Sequence, residues 1–261
     1  MSTDPRTVEG YNKGAEAYNA HVSSAEESPF HAFYEKPAIR TELPDLRGLS
    51  VISIGCGSGV DTAYLKQKGA EKVVGVDISS GLIDIAKKNH EGIDFRVMDM
   101  EKLDFPQESF DLAYSSLALH YLDSWTLALR EARRVLKPNG LYVFSCGHPI
   151  ESAMEIFEEE KTRGTRLGKT IVKESGARIM HGDYLAASEN GVKQMSGKIG
   201  EIEVHFFHRP ISKMIADIVA SGFKIEKMIE PLPTEGMKEK YERHYNQLMR
   251  FPDFMIWVLR K

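Results

Sequence analysis

Residues Val51-Ile-Ser-Ile-Gly55-Cys56-Gly57-Ser58-Gly59 place glycine at alternate positions, directly after a short β-branched run and directly before an amphipathic stretch. A strand that turns sharply into a helix has this form. Gly55 allows the turn, while Gly57 and Gly59 let backbone N–H groups approach a ligand at the positive end of the following helix. Twenty-two residues after Gly55, Asp77 ends a second apolar run, Lys72-Val-Val-Gly-Val76. In a doubly wound sheet that position faces the crevice beyond the carboxyl ends of the strands, where a carboxylate can accept both hydrogen bonds of a ribose diol. The pair reads as a site for an adenosine-type ligand. A dinucleotide fingerprint wants G-x-G-x-x-G/A. Its sixth position here is Val60, whose side chain crowds the helix–strand approach, so NAD and FAD are disfavoured.

The same alternation continues on the C-terminal side. Strand candidates at 49–54, 72–76, 93–97, 110–114 and 141–144 are separated mostly by helix candidates. Val60, Ala63, Tyr64 and Gln67 mark the first helix, which Gly69 ends. Ser79 or Ser80 caps the second, whose buried face is Leu82, Ile83, Ile85 and Ala86. A third begins near Ser124, buries Trp125, Leu129, Ala132 and Leu136, and stops at Lys137-Pro-Asn-Gly140. This pattern predicts an α/β fold with a doubly wound, mostly parallel sheet. It lapses over 151–209, where Glu158-Glu-Glu160, seven glycines and the strand-like Ile202-Glu-Val-His-Phe206 suggest an inserted cap. Pro210 then opens a helix to about Ser221, Gly222 closes it, and 223–229 and 254–259 supply two last strands. The expected organisation is an N-terminal helical lid at 1–44, a ligand-binding core at 45–150, the cap at 151–209, and a C-terminal helix with two strands of the core sheet at 210–261.

Composition narrows the function. The 261 residues carry 34 Lys+Arg against 38 Asp+Glu, a formal charge of −4, which gives no overall pull toward nucleic acid. Two cysteines, Cys56 and Cys146, are too few for a disulfide framework or a paired-Cys zinc site, and no HExxH-type spacing suggests a metal. The N-terminal Met1-Ser-Thr-Asp-Pro-Arg6 is charged where a signal peptide is apolar, and Phe254-Met-Ile-Trp-Val-Leu259 is too short to span a bilayer. A cytoplasmic protein is expected, with no membrane and no nucleic-acid partner; the oligomeric state is open.

Several segments together resemble the class I S-adenosylmethionine-dependent methyltransferases, in particular the small-molecule branch related to quinone-biosynthesis methyltransferases. They are the glycine turn at 51–59, Val73-Val-Gly-Val-Asp77-Ile-Ser, Asp99-Met100, Phe110-Asp-Leu-Ala-Tyr-Ser-Ser-Leu-Ala-Leu-His-Tyr121, and Glu131-Ala-Arg-Arg-Val-Leu-Lys-Pro-Asn-Gly140. Their order covers about residues 45–147, and the last helix and two strands fit that family's seven-stranded sheet. The resemblance implies S-adenosyl-L-methionine as cofactor and S-adenosyl-L-homocysteine as product. Gly55, Cys56, Gly57 and Gly59 would border its methionine and ribose portion. Asp77 would hold the ribose hydroxyls, with Ile78 on the adenine. Asp99 would accept from the exocyclic amine, Met100 would offer its backbone N–H, and Ser115 would make a main-chain contact near the amino-acid end. Tyr11 and Tyr18, seven apart and so on one face of a helix, would cover the ligands as a lid.

Methyl transfer from a sulfonium is an in-line displacement in which the protein mostly aligns and desolvates. A base is needed only where the acceptor must lose a proton. His120 is the first candidate, since an unperturbed imidazole titrates near neutrality; His148 is second and His208 third, and all three could line one acceptor pocket. Asp61, at a helix start, is explained by the helix dipole alone. Acceptor specificity is expected from the cap residues His181, Tyr184, His205, Phe206, Phe207 and His208. The function expected is methyl transfer to a small-molecule acceptor, with a non-catalytic S-adenosyl-ligand-binding module and a nucleic-acid methyltransferase as alternatives, and a dehydrogenase further behind. The segment Ser115-Ser-Leu-Ala-Leu-His120 lacks the Asn-Pro-Pro-Tyr-like sequence of enzymes that methylate flipped bases.

Overall fold

The computed structural model describes residues 2–159, 162–185 and 191–261, so Met1, Glu160 of the acidic stretch and 186–190 of the expected cap lie outside the described residues. The chain begins with helices α1 (Pro5–Lys13) and α2 (Ala15–Ser23), then a π-helical turn, His31–Glu35, that runs into α3 (Lys36–Thr41). Next come β1 (Ser50–Ile54), α4 (Val60–Gln67), β2 (Lys72–Asp77), α5 (Ser80–Asn89), β3 (Asp94–Val97) and β4 (Phe110–Ser115). A 3-10 turn, Leu119–Tyr121, leads to α6 (Thr126–Val135) and β5 (Leu136–Gly147). After α7 (Pro149–Ala153) three antiparallel ribbons pair β6 (Glu155–Glu159) with β7 (Thr162–Arg166), β8 (Gly168–Ile171) with β9 (Arg178–His181), and β10 (Lys193–Ile199) with β11 (Ile202–His208). The chain ends with α8 (Ile211–Ala220), β12 (Lys224–Ile229), α9 (Glu235–Lys240), α10 (Glu242–Leu248) and β13 (Phe254–Arg260).

Seven strands form one sheet in the order β12-β13-β5-β4-β1-β2-β3. The five from β5 to β3 are parallel, and β13 runs antiparallel between β5 and β12. This is the doubly wound, mostly parallel sheet expected from the sequence. Strand order reverses between β1 and β4, the point at which open α/β sheets bind ligands. Helices cover both faces, so the central strands are apolar on both sides: Ile52, Ala113, Phe144 and Trp257 face α6 and α8, while Val51, Leu112, Val143 and Val258 face α3 and α4. None of the described strands between 155 and 208 joins this sheet. The β10–β11 ribbon lies on α1, where Thr7 Oγ1 bridges the N–H (2.8 Å) and carbonyl (3.2 Å) of His205.

α4 spans the marked Val60–Gln67 and buries Thr62 and Leu65, while Tyr64 lies beneath the Arg40 guanidinium, 3.8 Å from its ring centre. Three local readings needed correction. Residues 137–140 do not end a helix before the strand; β5 already pairs at Leu136, and the turn residues form an irregularity between the Phe110–Leu136 and Leu112–Leu141 pairs. Tyr11 and Tyr18 do not share one helix, since the chain breaks at Gly14, where a Cβ would lie 2.6 Å from Ile202. α9 and α10, in 230–253, had no periodicity strong enough to announce them. The π-helical turn has a clear origin: Pro37 has no N–H to offer the Phe33 carbonyl, which accepts from Thr234 N instead (2.9 Å), and Lys36 N bonds back to His31 O.

Candidate functional site

The glycine turn leaves β1 with left-handed φ at Gly55 (+67°), Gly57 (+55°) and Gly59 (+87°). A Cβ on Gly55 would lie 2.4 Å from Ala118 Cβ, and one on Gly57 3.3 Å from the Tyr18 ring. Both line a cavity of about 400 Å³. Gly59 does not: a Cβ there would strike His90 and Phe95 at 2.8 Å, so its use is close packing of α4 on the sheet. At the end of β2, Asp77 Oδ2 accepts from Gly57 N and Oδ1 from Ser79 N, each at 2.9 Å. Burial pushes its carboxyl above the usual range, and the N–H groups of Ser79, Gly57 and Ile78 act in the opposite direction. A carboxylate has about four lone-pair sites, so two bonds leave capacity on the cavity side.

Ile78, Leu82, Met98, Asp99 and Met100 form one wall of this cavity. Asp99 is held by Glu101 N on its Oδ1 (2.9 Å). Tyr11 and Tyr18 form part of the roof despite the break at Gly14, their rings edge to face at 5.2 Å, and Tyr11 shares a 2.6 Å hydrogen bond with the Tyr121 hydroxyl. Burial raises all three phenols, Tyr121 to about 12. Two expected residues do not line this cavity. Ser115, the last residue of β4, is 0% exposed, and the lining begins one residue later, with Ser116, Leu117 and Ala118. Cys56 lines an adjoining niche of about 40 Å³ with Lys36, Ser53 and Asp61, which shares Tyr18, Gly55, Gly57, Ser116 and Leu117 with the cavity, and burial pushes its thiol well up. Asp61, besides its place in the first turn of α4, pairs with Arg40 at 2.8 Å.

A second cavity of about 380 Å³ adjoins the first, and Phe30, His120, Tyr121, Lys198, Ile199 and Phe254 line both. Its walls are apolar and aromatic, with Trp125, Phe206, Phe207 and Met214; Glu151 and Asp253 stand at its rim. Burial lifts Asp253 to about 7, with Glu151 adding to the rise. His120 lines both cavities, 4.4 Å from the Tyr121 ring, and its Nδ1 has no partner among the described residues. Burial, helped by His31, lowers it to about 4. The near-neutral titration expected from the sequence is thus corrected: this imidazole is neutral throughout the physiological range.

The other two histidines are occupied. His148 lines the second cavity but is 1% exposed; its Nδ1 accepts from Ile150 N as the cap of α7, and its Nε2 meets Glu230 Oε1, both at 3.1 Å. No nitrogen is left to take a proton. His208 lies off the cavity, between Ser152 Oγ (2.7 Å) and the Tyr184 carbonyl (2.9 Å). Of the cap residues expected to set specificity, Phe206 and Phe207 reach the second cavity, whereas His181, Tyr184 and His205 do not. Sequence reasoning missed Phe30, His31 and Phe254, which line the site from the N-terminal segment and β13; the run Pro29-Phe-His-Ala-Phe-Tyr34 was the available signal. Among the described residues no group of three His, Cys, Asp or Glu could hold a metal, and no helix is long and apolar enough to cross a membrane.

Comparison with known proteins adds four findings. Residues 52–144 match a family model described as a methyltransferase domain. The solved structure of an S-adenosylmethionine-dependent methyltransferase from Mesorhizobium loti is 32% identical, has a TM-score of 0.67, and covers 87% of this chain and 97% of its own. An uncharacterized protein of Haemophilus influenzae is 27% identical over 237 residues, 87% of each chain. A ubiquinone biosynthesis O-methyltransferase of Bradyrhizobium diazoefficiens is 38% identical over 104 residues, which are 38% of this chain and 40% of that protein; the chain spans less than half of that relative's length.

Proposed function

This chain belongs to the S-adenosylmethionine-dependent methyltransferases, and on that premise we propose that the first cavity holds the methyl donor and the second a small, largely apolar acceptor. The observation that carries this reading is that the two cavities meet at His120 and Tyr121. A transferred group must pass between two sites with a shared wall. When bound, the donor supplies an electrophilic methyl group on its sulfonium for in-line displacement.

The residues of the first cavity fit such a donor. Gly55 and Gly57 present bare backbone where a Cβ would intrude. In this reading Asp77 accepts from the ribose hydroxyls with the lone pairs that Gly57 N and Ser79 N leave free, Ile78 packs on the adenine, and Asp99 and Met100 meet its polar edge. Tyr11 and Tyr18 cover the ligand and exclude water, which strengthens every polar contact beneath them. Residues 116–118 take the place expected of Ser115. The second cavity, aromatic and sized for a ring, favours a cyclic or aromatic metabolite, in keeping with a relative whose name places it in ubiquinone biosynthesis.

Neutral His120 is the group placed to receive an acceptor proton. Replacing it with alanine is expected to lower turnover by about 10²-fold, the lower end for a lost general base, while leaving S-adenosylhomocysteine affinity within a factor of about two. The pH dependence has a definite sign. With its folded value near 4, His120 stays an acceptor of protons as the pH falls from 8 to 5, and this function is lost only as the pH drops through about 4. Its contribution to stability has the same direction. The unfolded imidazole, near 6.5, takes up a proton before the folded one, so that contribution is whole above 6.5 and declines as pH falls toward 4. The test is transfer from methyl-labelled donor to a panel of quinols, phenols, small amines and thiols, with DNA and RNA alongside. Label in a small molecule, reduced in His120→Ala, is the expected result. Transfer to nucleic acid alone, or donor binding with no transfer to any acceptor class, would overturn the acceptor reading.

A further inference from the structure

The loop after β4 does not hold its shape unaided. Leu117 has φ +51°, a left-handed conformation that a γ-branched residue rarely adopts. Its N–H donates to the Ser145 carbonyl at 3.2 Å and to Ser145 Oγ at 3.0 Å. A hydroxyl has one proton and two lone pairs, so whether Ser145 Oγ can accept from Leu117 depends on where its own proton goes. That proton goes to Glu35 Oε1, 2.5 Å away, and the Ser116 hydroxyl donates to the same oxygen at 3.0 Å. Two hydroxyls on different parts of the chain are thus oriented by one carboxyl oxygen.

Glu35 is a costly residue in this position. It is 0% exposed at the end of the π-helical turn, and among the described residues no cation pairs with it and its Oε2 has no partner. Burial without an ion pair opposes stability, and the carboxyl touches none of the three cavities. What it does reach is the loop whose Ala118 packs against Gly55, the residue that turns the chain into the first cavity.

We propose that Glu35 is a positioning residue, whose carboxyl oxygen fixes residues 116–118 against the glycine turn through the Ser145 and Ser116 hydroxyls. The inference rests on the reading of the first cavity as the donor site for its functional consequence, but not for the clamp itself. Glu35→Leu keeps the volume and removes the acceptor; Glu35→Gln keeps an oxygen for both hydroxyls. In the ligand-free protein, hydrogen exchange of the peptide spanning 116–118 is expected to accelerate at least tenfold in Glu35→Leu and Ser145→Ala and to stay within threefold of wild type in Glu35→Gln. Titration with S-adenosylhomocysteine is expected to show about tenfold weaker binding in Glu35→Leu and in Ser145→Ala, no further loss in the double variant, and rescue in Glu35→Gln. A residue that merely supports the fold would shift the melting temperature and leave the affinity of the folded protein unchanged. Unaltered exchange at 116–118, or losses that multiply in the double variant, would overturn the clamp. Accelerated exchange with no S-adenosylhomocysteine binding by wild type would leave the clamp standing and remove the donor-site reading. Should Glu35→Leu not fold, Ser145→Ala and Glu35→Gln carry the same comparison.

Discussion

Asp77→Ala is expected to weaken S-adenosylhomocysteine binding by about 10²- to 10³-fold. The carboxylate has two duties. On the protein side it accepts from Gly57 N and Ser79 N at 2.9 Å, tying the glycine turn to the start of α5. On the cavity side its remaining lone pairs are proposed to take the ribose hydroxyls. Hydrogen bonds to a charged group are worth roughly 1.5–3 kcal/mol each. Losing the two ligand bonds and loosening Gly57 together give about 3–4 kcal/mol, and 1.4 kcal/mol is about tenfold in affinity. Asp77→Asn keeps one acceptor oxygen but turns an NH₂ toward a backbone N–H, so it falls between alanine and wild type. Calorimetric titration, with circular dichroism to show that each variant is folded, measures both. A loss below threefold in Asp77→Ala would remove Asp77 from the ribose.

The largest loss of stability is expected at Asp217. Its Oδ2 receives Arg209 Nε at 3.2 Å and its Oδ1 receives Lys213 Nζ at 2.6 Å. Arg209 is 1% exposed, lies 4.9 Å from the Trp125 ring centre, donates to the Asp123 carbonyl at 2.7 Å, and has no partner for Nη1 among the described residues. Burial already lowers the guanidinium, with Asp217 the main opposing charge. Asp217→Ala would leave that charge enclosed and unpaired beside the second cavity. Breaking a buried pair in this way costs about 3–5 kcal/mol, which for a chain of this size lowers the melting temperature by roughly 10 °C. The pair itself is not strongly stabilising by the same reasoning, so Arg209→Met with Asp217→Leu should recover most of the loss. A melting temperature within 2 °C of wild type for Asp217→Ala would show that Arg209 finds water or another acceptor when Asp217 is gone.

How far the sequence could be read depended on how local each feature is. The glycine turn and Asp77 lie on consecutive strand ends, so spacing along the chain maps directly onto proximity, and the core sheet follows from the same alternation. The cavity lining begins one residue after Ser115, where β4 has ended, and spacing along the chain does not locate a strand end to a single residue. Gly59 was one glycine too many for the ligand face because φ +87° serves the packing of His90 and Phe95. The second cavity is assembled from Phe30, Trp125, His148, Phe206 and Phe254, residues spread over more than two hundred positions, and no window of sequence contains it. No sequence pattern singled out Glu35. Its partners are Ser145 on β5 and Ser116 in the loop after β4, both far along the chain from the π-helical turn that carries it. His148 and His208 looked free for chemistry because their partners, Glu230 and the Tyr184 carbonyl, are equally remote.

Two adjoining cavities with different occupants are tested most directly by a crystal structure with S-adenosylhomocysteine. The expected result has the ribose hydroxyls on Asp77, the adenine against Ile78 with its amine toward Asp99, and the sulfur facing His120 and Tyr121, with the second cavity free beyond them. A nucleoside seated in the second cavity, or a sulfur turned away from the shared wall, would contradict the assignment and with it the path proposed for the methyl group.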